Sequence, residues 1–106
     1  MLILNIMESY NKLVRDRIPE ILDSKGVPYE ERTASPEEYK AELIKKLLEE
    51  IAEFAEESSP EELADILEVI EALKQLPEYT DVETVRLKKR TERGGFDKRI
   101  ILKGEK

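Results

Sequence analysis

KKLLEEIAEFAEESSPEELADILEVIEAL, residues Lys45–Leu73, reads as two amphipathic helices joined by a very short turn. At about 100° per residue, Leu43, Ile44, Leu47, Leu48, Ile51, Phe54 and Ala55 form one apolar stripe, with Glu50 at its edge and Glu53 and Glu57 just beyond. In the second half Leu63, Ile66, Leu67, Val69, Ile70, Leu73 and Leu76 form the stripe; Glu62 falls inside it and Asp65 at its margin. Ser59 suits an N-cap, Pro60 the first helical position, and Glu62 follows the cap by three residues, so the second helix begins here. With a rise of ~1.5 Å per residue, Glu53 and Glu62 each lie roughly 5 Å from the bend, and Glu50 and Asp65 roughly 10 Å. Two acidic pairs of spacing i,i+3 therefore meet level with level. The predicted fold class is all-α, with this antiparallel hairpin as its core.

Four carboxylates in one partly apolar pocket repel one another and lose hydration, which raises their pKa values or demands a cation. Hard oxygen donors favour Mg²⁺, with Mn²⁺ as a substitute. A plainer reading stands beside this one. Of 106 residues 25 are acidic, so some i,i+3 acidic pairs arise by chance, and Glu62 has an ordinary role as the far half of a capping box. That role leaves Glu50, Glu53 and Asp65 unexplained. The chain also carries its own control: SPEE recurs at Ser35–Glu38, where the position matching Asp65 is Ala41 and the cap stands without a second acid.

The composition narrows the chemistry. The chain has no Cys and no His, which excludes disulfides, thiolate metal sites and imidazole catalysis. Carboxylates, Lys, Tyr and water acidified by a metal remain. A length of 106 residues fits one small domain with a modest core, for which self-association is a reasonable expectation. The net charge of −7 conceals two blocks. Glu37–Glu71 holds 13 acidic and 3 basic residues, whereas Arg86–Lys103 holds 8 basic and 2 acidic. An acidic centre beside a basic tail suits a metal site next to a phosphate-binding surface, although solvated ion-pair faces commonly produce such blocks too.

Outward from the hairpin, residues 1–9 form an N-terminal extension. Met1–Met7, MLILNIM, is too short to span a membrane and lacks the positive flank of a signal peptide; it reads as an edge strand or a disordered start, with Met7 as an alternative initiator. A cytoplasmic location is expected. Lys12, Arg15 and Arg17 crowd the segment before Pro19, where Asp16 or a neighbour caps a short helix through Leu22, ended near Gly26. Val27–Ala34 suits an extended connection or edge strand. Ser35, Pro36 and Glu38 open the long helix with a capping box, and Tyr39 belongs to the core or its rim. Thr80–Glu83 is a further T-x-x-E box opening a surface helix to about Glu92, with Gly94 as its left-handed C-terminal residue. Phe96–Leu102 is predicted to be a short closing strand or extended tail whose Phe96, Ile100 and Leu102 pack inward. No Walker loop, G-x-G-x-x-G run or nucleophile elbow is present.

Taken together, Glu49, Glu50 and Glu53 in an EE-x-x-E run, followed by E-x-x-D at Glu62 and Asp65, resemble the MazG-type all-α nucleoside triphosphate pyrophosphohydrolases. The flanks YNKLVRDRIPEIL and KKRTERGGFDKRIIL are similar to the small house-cleaning branch of that superfamily, which is itself similar to phosphoribosyl-ATP pyrophosphohydrolase. The likeness runs over Tyr10–Leu102 and makes residues 10–106 the enzymatic domain. It implies Mg²⁺-dependent cleavage between the α and β phosphates of a nucleotide substrate, giving a nucleoside monophosphate and pyrophosphate. By the same likeness Glu50, Glu53, Glu62 and Asp65 are the metal ligands, Glu49 and Glu53 the candidates for catalysis, and Lys12, Arg15, Lys89 and Arg93 the phosphate-binding positions. A homodimer or higher homo-oligomer, with hairpins packed into bundles, is implied as well. The linker between the acidic pairs is shorter than in the larger members, which bears on the base pocket.

Three rivals follow from the same residues. One is phosphoribosyl-ATP hydrolysis. A second is a non-enzymatic helical interaction or regulatory protein whose acids are solvated charge. Nucleic-acid binding through Arg86–Arg99 is the weakest, because the acidic hairpin repels a polyanion, and neither nucleic acid nor a membrane is expected as a partner.

Overall fold

The computed structural model describes residues 11–105. The expected edge strand or disordered start in residues 1–9 lies outside them. Among the described residues the chain is all-α, with four helices and no strand: α1 (Ile18–Ser24), α2 (Pro36–Glu57), α3 (Pro60–Lys74) and α4 (Val82–Arg93), plus a 3₁₀ turn at Pro77–Tyr79. Among the described residues no helix is long and apolar enough to cross a membrane. The fold divides into two compact units, one ending at Leu73 and the other starting at Lys74.

α2 and α3 form the predicted hairpin. Ser35 Oγ accepts the Glu38 N–H and Ser59 Oγ accepts the Glu62 N–H, each at 3.2 Å, which satisfies a helix-end donor that would otherwise lack an intrahelical partner. Both capping boxes are only half built, however. The Glu38 carboxylate takes both arms of Arg32 instead. Glu62 turns into the protein. Two residues make the bend: Ser58 adopts the left-handed region, at φ 51° and ψ 32°, and its N–H donates to Phe54 O at 2.8 Å, closing α2.

Each hairpin helix presents two adjacent apolar rows. Leu43, Leu47, Glu50 and Phe54 form the inward row of α2, and Glu62, Ile66, Val69 and Leu73 that of α3; each member is buried or half-buried. The neighbouring rows, Ile44, Leu48 and Ile51 on α2 and Leu63, Leu67 and Ile70 on α3, stay exposed, Leu48 to 63 %. The expected single stripe thus divides in two. Glu50 belongs to the inward row, whereas the helical wheel puts it at the stripe's edge.

α1 contributes Leu22, one of three buried apolar residues among those described, with Leu43 and Val69. Arg17, not Asp16, occupies its N-cap, without a side-chain bond to the backbone. Val27–Ala34 forms no strand; Tyr29 Oη, in the loop that follows α1, donates back to Asp23 of that helix at 2.9 Å. Tyr39 is half-buried, as expected of a rim residue.

The second unit departs further from expectation. Asp81 stands at the N-cap of α4, and the predicted cap Thr80 points back, its Oγ1 donating to Pro77 O at 3.4 Å. Glu83 pairs with Arg86 and Lys74 and closes no box. Gly94 ends the helix with positive φ (83°), but its ψ of 175° is extended, so it is not the expected left-handed cap. α4 buries nothing, as its few apolar residues predict. Phe96–Leu102 is neither strand nor inward-packed: Phe96 is 96 % exposed and Ile100 and Leu102 are exposed too. A lone extended segment needs a neighbouring edge to pair with, and the described residues hold no strand.

Candidate metal centre

Burial puts the carboxylates of Glu50 and Glu62 in positions a hydrophobic residue ordinarily fills. Glu50 is 6 % exposed and Glu62 8 %. The Oε2 atom of each is buried with no hydrogen-bond partner among the described residues. An unpartnered buried polar group costs roughly 1–3 kcal/mol, and more when charged. α2 supplies one of these residues and α3 the other, and Asp65 joins them one turn along α3. One oxygen from each of Glu50, Glu62 and Asp65 lies within 4.8 Å of the others.

The hairpin produces this convergence by register. Glu50 lies seven residues before the end of α2, and Glu62 and Asp65 lie in the first two turns of α3, so the short bend brings them across from one another. Glu53 was expected as the fourth ligand. It is half-buried beside the group and its charge acts on both Glu50 and Glu62, but its oxygens do not fall within the three-residue cluster.

The electrostatics follow. Burial, chiefly, pushes the Glu50 carboxyl above its ordinary value; Glu53 adds to this through its charge and through a hydrogen bond that exists only while Glu50 holds a proton. Burial likewise raises Glu62, with Glu57, Glu53 and Asp65 as like charges nearby. Glu49 goes the other way. Partial burial pulls it upward, but the hydrogen bond and charge of Lys46, followed by Lys12, outweigh that and hold it below the ordinary range. Glu49 is thus a surface ion-pair residue, 3.2 Å from Lys46 and 3.4 Å from Lys12, outside the cluster.

Of the predicted phosphate-binding residues, two reach the acids. Arg15 Nη2 donates to Asp65 Oδ1 at 2.8 Å, and Lys12 Nζ reaches Glu49. Lys89 and Arg93 are exposed on the last turns of α4, in the second unit. Sequence reasoning overlooked Lys46, whose Nζ lies 3.6 Å from Glu50 and 3.2 Å from Glu49. The signal was its spacing, three and four residues ahead of two glutamates.

Oxygen donors alone, two of them buried and unsatisfied, fit a hard divalent cation, to which they present three negative charges and no competing nitrogen or sulfur ligand. Comparison with protein-family models, curated proteins and solved structures finds no match to this chain.

Proposed function

We propose that the chain is a Mg²⁺-dependent nucleoside triphosphate pyrophosphohydrolase, cleaving between the α and β phosphates to give a nucleoside monophosphate and pyrophosphate. The observation that carries this reading is the pair of buried, unpartnered carboxylate oxygens on Glu50 and Glu62, converging with Asp65. A fold keeps charge in a core row at a net cost unless something compensates it. The resemblance of the EE-x-x-E and E-x-x-D runs, and of both flanks, to the MazG-type enzymes supports the same assignment.

Glu50, Glu62 and Asp65 would hold the cation, with Glu53 alongside. When bound, Mg²⁺ keeps positions for water and phosphate oxygens, polarises the phosphoryl group and acidifies water. The chain's own residues do the rest. Arg15 and Lys12 stand at the rim of the acids, where guanidinium and ammonium groups balance charge on a departing pyrophosphate; Lys89 and Arg93 are the further cations the resemblance assigns. Two lysines keep Glu49 ionised and weakly basic, which leaves Glu53 as the residue assigned to accept the proton of the attacking water.

The exposed rows Ile44–Leu48–Ile51 and Leu63–Leu67–Ile70 support a homo-oligomer. Three buried apolar side chains among the described residues, at roughly 1.5–3 kcal/mol each, make a small core. Two hairpins joined by these faces would make a four-helix bundle.

The test is pyrophosphate release from a panel of standard and modified nucleoside triphosphates, with Mg²⁺ or EDTA, beside Glu53→Gln. Metal-dependent release by the wild type, lost in the variant, is the expected result. Activity on phosphoribosyl-ATP alone would transfer the assignment to that substrate, and no turnover of any nucleotide would leave a non-enzymatic helical module.

A further inference from the structure

Asp65 is claimed twice. Its Oδ1 accepts the Arg15 guanidinium at 2.8 Å, an ion pair spanning 50 positions of sequence, while Asp65 also supplies one of the three oxygens converging with Glu50 and Glu62. A divalent cation drawing on Asp65 therefore competes with Arg15 for the same carboxylate. Several features make Arg15 the partner that yields. Its side chain is 56 % exposed, so water takes over its hydration on release. It precedes α1 in a turn held by the Ile18 N–H donating to Arg15 O at 3.1 Å, so the side chain swings without unwinding a helix. Nearby acids are already engaged: Glu50 Oε1 lies 3.6 Å from Lys46 Nζ, and Glu49 already has two lysines.

We infer that Arg15 is a built-in counter-ion of the metal-free site, which the divalent cation displaces from Asp65 and so releases to the phosphate groups the cation brings. The inference rests on the metal reading above and adds an order to it: cation first, anion second. Charge supports this sequence of events. Without metal, Arg15 offsets part of the repulsion among the converged carboxylates; once a doubly charged ion does so, the guanidinium is surplus there and suits a bidentate phosphate contact.

The experiment is a calorimetric titration of Mg²⁺ into wild type, Arg15→Gln and Lys12→Gln, repeated in the presence of methylenediphosphonate, which is not hydrolysed. Removing the competitor should tighten Mg²⁺ binding in Arg15→Gln by about two- to fivefold, the range of an exposed ion pair. Lys12→Gln removes the same charge from the same segment without touching Asp65 and should change Mg²⁺ binding less. With the diphosphonate present the sign should reverse, Arg15→Gln binding more weakly than wild type. Equal tightening in both variants reduces the effect to general electrostatics and overturns the inference, as does the absence of a sign reversal. If Mg²⁺ binds none of the three proteins, the metal reading fails, and the inference with it.

Discussion

Replacing Glu50 by Leu should stabilise the metal-free protein while abolishing its response to Mg²⁺. Glu50 occupies the inward row of α2 between Leu47 and Phe54, and one of its carboxylate oxygens is buried without a partner. Leucine has a similar volume, continues the apolar row and removes one of the converged negative charges. Lys46 is not stranded by the change, because Glu49 lies 3.2 Å away. Exchanging a buried ion for a well-packed apolar side chain is commonly worth about 1–4 kcal/mol. For a domain of this size each kcal/mol moves the melting temperature by roughly 4 °C or somewhat more. The assay is urea unfolding at fixed protein concentration, with and without saturating Mg²⁺, for wild type and Glu50→Leu. Wild type should gain stability from Mg²⁺ through ligand linkage, and the variant should gain none. A variant less stable than wild type without metal would refute the reasoning, since it would mean that the Glu50 carboxylate makes a net favourable contact in the fold.

Stability of the metal-free protein should fall between mildly acidic and neutral pH. Glu50 and Glu62 have raised folded-state values, so their contribution is complete below the ordinary carboxylate value and is lost as pH rises through the raised ones. Glu38, Glu49 and Glu83, lowered by their basic partners, act oppositely and lose their contribution as pH falls below the ordinary range. Saturating Mg²⁺ should remove the neutral-side decline in a thermal melt, and a metal-free melting temperature that rises steadily to pH 7 would contradict this. Ser58→Gly should stabilise by roughly 0.5–1 kcal/mol, because glycine enters the left-handed region freely, and Ser59→Ala should cost about 1 kcal/mol of helix cap; both are read from urea midpoints. Leu48→Lys with Leu67→Lys should yield a monomer by light scattering at concentrations where wild type associates, and an unchanged mass would exclude these rows from the interface.

The hairpin was legible because its signals are local and redundant: a 3.6-residue period on both sides, a Ser-Ser-Pro bend and a capping serine. What the period does not contain is the direction of each apolar row. Leu43, Leu47 and Phe54 sit beside Ile44, Leu48 and Ile51 on one helix, and only the docking of α3 decides which set is buried. For that reason the period alone puts Glu50 at an edge, whereas it lies in the core row. Glu62 is explained equally well by a capping box, of which only the bond from the Glu62 N–H to the Ser59 hydroxyl forms, while its carboxylate turns inward. Thr80 and Asp81 compete as adjacent caps, and a one-residue choice between them lies below what composition resolves. The tail at Phe96–Leu102 offers Phe96, Ile100 and Leu102 to one face of a strand, but strand formation depends on a partner elsewhere in the chain, which no local pattern supplies.

Anomalous diffraction from crystals grown with Mn²⁺, a substitute for Mg²⁺ at oxygen sites, tests the metal centre most directly. A cation site predicts a peak bounded by the carboxylates of Glu50, Glu62 and Asp65, with Arg15 no longer on Asp65. Crystals that take up Mn²⁺ at other acids while Arg15 remains paired with Asp65 would contradict it, and would return the buried glutamates to the status of charged residues held in a core by the fold alone.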